Sequence, residues 1–134
     1  MTILCVLLDA NFLMMSGQFK IDIFSELDRI IQSKYVPVVL SETVNELERL
    51  LDDEKPKTRQ QASLALKMVE NCEVRKANCL PNESVDDLIV RYAKENKCVV
   101  STNDRKLRRK LRKNLIAVVY LRQKAFLALD GNTP

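Results

Sequence analysis

The chain has 134 residues, 46% of them apolar, with 22 Lys and Arg against 18 Asp and Glu and no histidine. That length suits one compact domain, expected over residues 1–134, large enough to bury a substantial core. The lack of histidine excludes Ser-His-Asp and Cys-His nucleophile systems and His-ligated zinc, and glycines at 17 and 131 alone cannot build a Walker loop or a dinucleotide fingerprint. Carboxylates, Lys, Tyr and a bound metal remain as means of chemistry.

The N-terminal run MTILCVLLDANFLMM is apolar, but it has no basic leader and is broken by Asp9 and Asn11, so a buried strand is expected rather than a signal peptide or membrane span. ILCVLL (3–8) is unbroken and partly β-branched, as in a central parallel strand covered on both faces. A helical pattern over 21–32 follows, then a second strand, YVPVVL (35–40), which Pro37 assigns to an edge or a strand start. Helical patterns over 42–51 and 59–71 flank the polar turn DDEKPKTRQ (52–60), and a short strand is expected at 72–75. The C-terminal part reads as helix 85–95, strand CVVS (98–101), helix 105–112, strand IAVVY (116–120) and a frayed tail, DGNTP (130–134). Strands alternating with helices predict an α/β fold, a parallel sheet of about four to five strands with helices on both faces. Cys5, Cys72, Cys79 and Cys98 show no close metal-ligand spacing and are expected as reduced buried thiols of a cytoplasmic protein, with a Cys72–Cys79 disulfide reserved for an unusual redox setting.

In an open α/β sheet, ligands bind beyond the carboxyl ends of the strands, where the topology changes direction. Asp9 follows the first strand and Asp104 follows CVVST, so both belong on that rim. The competing explanation is structural: Asp9 starts a loop and Asp104 caps a helix through its orphan N–H groups. In the pair Asp86-Asp87, a helical wheel places Asp86 on the flank of the apolar face and Asp87 towards solvent. Ser84 and Asp87 also form an S-x-x-D capping pattern, which leaves Asp86 as the better site candidate. In SETVNELERLL (41–51), Ser41 is the expected N-cap and Val44, Leu47, Leu50 and Leu51 the core-facing stripe. Glu46 and Glu48 flank that stripe on opposite sides, and periodicity does not choose between them. Asp9, Asp86 and Asp104 would meet at one rim, where unpartnered carboxylates raise each other's pKa and a hard, oxygen-seeking cation relieves the conflict.

Asp104 is followed by seven cations in the nine residues Arg105 to Lys113. Leu107, Leu111 and Leu115 recur every four residues and are expected to anchor this helix, turning Arg105, Lys106, Arg108, Arg109, Lys110, Arg112 and Lys113 outwards. A solubilising helix mixes both charge signs; this one attracts phosphate. Lipid surfaces and acidic partners share that chemistry.

Four segments, LLDANFL (7–13), SETVNELERL (41–50), DDLIVRYA (86–93) and STNDRKL (101–107), resemble in order and spacing those of PIN-domain ribonucleases, over nearly the whole chain. The resemblance implies a three-layer α/β/α sandwich and a catalytic, metal-binding set of Asp9, Glu46, Asp86 and Asp104, which selects Glu46 over Glu48. It implies one or two Mg²⁺ or Mn²⁺ ions, supporting roles for Asn11, Asp87, Thr102 and Asn103, and cleavage of single-stranded or looped RNA to a 5′-phosphate and a 3′-hydroxyl. Within the family, the segments look more like the pre-ribosomal-RNA processing branch than VapC toxins. The implied partners are RNA, a second copy of the chain, and either ribosome-assembly proteins or an antitoxin, with no membrane. Two other classes compete: a non-catalytic RNA-binding scaffold, and a phosphoacceptor signalling domain, which leaves the cationic helix unexplained.

Overall fold

The structure is a computed structural model that describes residues 3–134; Met1 and Thr2, which open the apolar N-terminal run, lie outside the described residues. The elements in chain order are β1 (Leu4–Leu8), α1 (Ala10–Phe19), α2 (Ile23–Ile30), β2 (Tyr35–Leu40), α3 (Ser41–Leu50), α4 (Pro56–Val69), β3 (Glu73–Arg75), α5 (Val85–Asn96), β4 (Cys98–Ser101), α6 (Arg105–Lys113), β5 (Val118–Arg122) and β6 (Phe126–Asp130). They build one six-stranded sheet in the order β3-β2-β1-β4-β5-β6. All neighbours are parallel except β5 and β6, an antiparallel pair. The expected three-layer α/β/α architecture is present, with one more strand than the sequence suggested.

Side chains alternate across the pleat and so feed two cores. Val6 and Leu8 of β1 pack with Phe12, Leu13, Leu27, Leu47 and Ala65 from α1 to α4 on one face. Cys5 and Leu7 pack with Leu88, Ile89, Leu107 and Leu111 from α5 and α6 on the other. All five residues of β1 are buried, as its unbroken apolar run requires. Leu111, on the inner face of α6, is fully buried. Leu111→Ala is expected to cost about 2–5 kcal/mol, read as a lower midpoint in urea denaturation.

The chain departs from the sequence expectations at several places. Residues 10–19 form a helix, capped by the Asp9 carboxylate, where the sequence reading had placed the start of a loop at Asp9 and no helix. Pro37 sits inside β2 opposite Val6, but β3 pairs only with Val38, Val39 and Leu40, so on that side Pro37 has no ladder bond to lose. Ser41 is not an N-cap: α3 starts at Ser41 itself, and its hydroxyl exchanges hydrogen bonds with the N–H and C=O of Ala77. Leu115 does not anchor α6. It lies beyond the helix end at φ 60° and is 85% exposed, because the chain turns there to enter β5.

Asp130 is not part of a frayed tail but closes β6, whose Leu127 is held by α2. Glu26 Oε1 accepts from the Leu127 N–H at 2.9 Å, and Arg29 Nη2 donates to its C=O at 2.8 Å. Cys5 and Cys98 are not free thiols. They are register partners on neighbouring strands, with Cα atoms 4.6 Å apart, and are joined as a disulfide across 93 residues of sequence. Cys72 and Cys79 are unpaired. Among the described residues, no helix is long and apolar enough to cross a membrane.

Candidate active site

From β1 the chain steps outward through β2 to β3, then returns to place β4 on the other side of β1. The direction reverses between β1 and β4, where an open sheet leaves a crevice at the strand carboxyl ends. Asp9 leaves β1 into that crevice, and Thr102, Asn103 and Asp104 leave β4 into it. α3 brings Glu46 and α5 brings Asp86. Asp9, Asn11, Thr43, Glu46, Asp86 and Asp104, with Ala10, Val85 and Ile89, line one pocket of about 130 Å³.

Asp104 caps its helix as the structural explanation had it, Asp9 caps a helix rather than starting a loop, and both still line the pocket. Asp9 Oδ1 accepts from the Phe12 N–H at 2.8 Å and caps α1. Its Oδ2 accepts the Thr102 hydroxyl hydrogen, and the Thr102 oxygen in turn accepts from the Asp104 N–H at 3.1 Å. Asp104 caps α6 with Oδ1 alone, accepting from Lys106 at 2.8 Å and Leu107 at 3.1 Å. Asn103 ties the crevice to the next strand: its Oδ1 accepts from the Leu121 N–H at 2.7 Å, and its own N–H approaches Asn11 Oδ1 at 3.5 Å.

Asp9 is 6% exposed, and burial pushes its carboxyl up to about 7, against the lowering hydrogen bonds from Thr102 and Phe12 and with further upward pressure from Glu46 and Asp86. Burial also raises Glu46, with Arg49 pulling it back and Asp86 adding to the rise. Asp86 is raised by burial and then by Asp104, while Lys110 and Lys106 oppose the shift. Asp9, Glu46 and Asp86 thus resist ionisation because of their surroundings. A divalent cation would remove that resistance, and four oxygen donors at one crevice match what Mg²⁺ or Mn²⁺ takes. As they stand among the described residues, no three His, Cys, Asp or Glu side chains are gathered closely enough to hold an ion, so the acids would have to draw in around one.

The sequence-predicted residues do not all converge. Glu48 is exposed, whereas Glu46 is half-buried at the pocket. Asp87 points away and pairs with Lys110 at 3.1 Å, which holds its carboxyl below the usual range. Thr43, 2% exposed and one helical turn before Glu46, lines the pocket although the sequence reading passed over it; its i, i+3 spacing from Glu46 was the available signal. On α6 the seven cations are not equivalent. Arg108 and Arg112 are held by Asp130 at 3.0 and 3.5 Å and Lys110 by Asp87, while Arg105, Lys106, Arg109 and Lys113 stay exposed.

The reversed sheet crossover with an acidic crevice at its centre defines an open α/β domain with a ligand site at its switch point, and residues 6–124 match the PIN like domain family. The chain belongs to that family. It is 37% identical over 126 residues to Ribonuclease VapC4 of Methanocaldococcus jannaschii, covering 92% of this chain and 94% of that protein. It is 32% identical over 110 residues to the rRNA-processing protein FCF1 of Saccharomyces cerevisiae, covering 81% of this chain but only 54% of FCF1. Among solved structures, the PIN domain endonuclease Utp24 superposes with a TM-score of 0.76 at 25% identity, over 96% of this chain and 92% of that one.

Proposed function

We propose that the protein is an endoribonuclease that hydrolyses phosphodiester bonds in single-stranded or looped RNA, with one or two Mg²⁺ or Mn²⁺ ions held by Asp9, Glu46, Asp86 and Asp104. The observation that carries this reading is the meeting of those four carboxylates in one pocket at the reversal point of the sheet, with Asp9 buried. Relatives named as ribonucleases and an rRNA-processing protein support RNA as the substrate. When bound, the metal supplies an activated water and neutralises charge on the phosphodiester, which removes the need for a histidine base. The chain's own groups do the positioning. Thr102 orients Asp9 and the backbone of Asp104 together, Asn103 fixes their loop against β5, and Lys106 and Lys110 place positive charge beside Asp86.

Purified protein is expected to cut unstructured RNA with Mn²⁺ or Mg²⁺ and to stop in EDTA; equal cutting in EDTA would sink the metal requirement. Glu46→Gln is expected to lower kcat by at least about 100-fold, the scale for losing a group that acts in the transition state, whereas Glu48→Gln leaves it within about two-fold. A folded protein that binds RNA but does not cut it with either metal would instead be the scaffold.

Our reading places the activity in ribosomal-RNA processing, in line with the FCF1 and Utp24 similarity. The match over 94% of VapC4 favours a second reading, a toxin restrained by an antitoxin. Expression in the native host separates them: growth arrest relieved by a neighbouring gene product marks the toxin, and accumulation of uncut pre-rRNA on depletion marks the processing enzyme.

A further inference from the structure

α6 separates two charged surfaces. On one side, Asp104 at its cap joins the acidic pocket, and Lys106 and Lys110, the latter paired with Asp87, put positive charge near Asp86. On the other, Arg105, Arg108, Arg109, Arg112 and Lys113 line an open trough of about 840 Å³ with Asp130. No residue is shared between the linings of trough and pocket, yet they meet at the helix start, where Asp104 is followed by Arg105.

The trough is built rather than incidental. Asp130 reaches across from β6 and holds the guanidinium groups of Arg108 and Arg112 side by side. Arg108 also lies over the Tyr120 ring, 3.6 Å from its centroid, and Arg112 donates to the Ile116 C=O at 3.2 Å. These two arginines form an ordered floor, and Arg105, Arg109 and Lys113 form an exposed rim. Five cations against one carboxylate leave the trough strongly positive.

We propose that this trough is a second RNA-binding site that holds the backbone of the strand on one side of the scissile phosphate, so that the enzyme acts on RNA with an extended single-stranded flank. The inference rests on the nuclease reading and deepens it. Two features favour a phosphate backbone over an acidic protein. Every lining side chain is charged, whereas a protein interface needs a desolvated apolar or aromatic centre. The trough also begins at Arg105, the residue after the pocket's Asp104, and α6 runs from there for about 13 Å, room for a strand leaving the pocket to follow it. Since α6 leaves the pocket in one direction, only one flank gains the contacts.

The test is binding of fluorescein-labelled oligouridylate in EDTA, independent of cleavage, with strands of about four and about twelve nucleotides, both within the range of single-strand site sizes. The wild type is expected to bind the longer strand at least about tenfold more tightly. The double variant Arg109→Gln/Lys113→Gln should lose most of that gain and lower the log-log salt slope by about 1.4, two phosphate contacts at roughly 0.7 each. With Mn²⁺, lengthening a cleavable strand should lower KM when the extension is on one side of the cut only. Equal affinity for both lengths, a length gain that survives the double variant, or gains from both flanks alike would overturn the proposal. So would displacement of the RNA by polyglutamate as readily as by polyuridylate, which would mark the trough as a seat for an acidic protein. A wild type that binds with the expected length dependence but does not cut would refute the nuclease reading alone.

Discussion

Asp9→Asn is expected to abolish RNA cleavage and, in metal-free buffer above pH 7, to make the protein more stable. Asp9 is buried between the ends of β1 and β4, with a carboxyl pushed from 3.8 up to about 7. A carboxyl raised in the folded state binds more protons than the unfolded chain between those two values, so stability is fully present below about pH 4 and is lost as pH rises through about 7. The loss amounts to about 4 kcal/mol when the native carboxylate is fully ionised. Asparagine is neutral, keeps an oxygen to accept from Phe12 and gains an amide to donate towards Thr102, so it escapes this term. Urea titrations of both proteins in EDTA should converge near pH 4 and diverge in favour of the variant by a few kcal/mol at pH 8. Adding Mn²⁺ should stabilise the wild type and leave the variant nearly unmoved, since a ligand stabilises only the state that binds it. A variant less stable than wild type at pH 8 would show that Asp9 is not under the strain described.

The second large effect concerns a residue that acts through others. Thr102 is fully buried, donates its hydroxyl hydrogen to Asp9 and accepts from the Asp104 N–H. Thr102→Val keeps the shape but leaves a buried carboxylate oxygen and a backbone N–H unsatisfied, at a cost of about 1–3 kcal/mol. Because the Thr102 bond lowers the Asp9 pKa, losing it raises that pKa further, and the pH-dependent loss of stability in EDTA should shift upward. Cleavage is expected to fall by about 10- to 100-fold as Asp9 and Asp104 lose their common support. Thr102→Ser, which restores the hydroxyl, should recover both activity and pH dependence. Recovery of stability without activity would reduce Thr102 to a packing residue.

How much of this was legible in the sequence differs from residue to residue. β1, β2, β4 and α5 declared themselves through apolar runs and periodicity, and the helical wheel separated Asp86 from Asp87 because it reads orientation about one axis. The wheel could not choose between Glu46 and Glu48, since both flank the stripe and only the neighbouring elements decide which flank meets the crevice. α1 was missed because Asn11 alone interrupts the apolar residues of its first turns, Ala10 to Met15, and this leaves little of the contrast on which periodicity depends. Register and packing are equally silent in sequence: Cys5 meets Cys98 only once β1 and β4 lie side by side, and Asp130 meets Arg108 only once β6 lies against α6. The even row of cations on α6 looked like one surface for the same reason, until acids from α5 and β6 divided it.

The acidic pocket draws its carboxylates from positions 9, 46, 86 and 104, and the trough beside it is ordered by Asp130. No shorter segment contains the site. A nascent chain that has emerged only as far as β4 holds Asp9 without the Thr102 hydroxyl that steadies it and without Asp104 or α6. Because closing such long loops comes late in folding, cutting competence arrives only after the β1–β4 junction has formed and the helix beyond it has docked. A half-made molecule would therefore lack the proposed nuclease site, and the order of synthesis would delay any cutting until the last acid is in place.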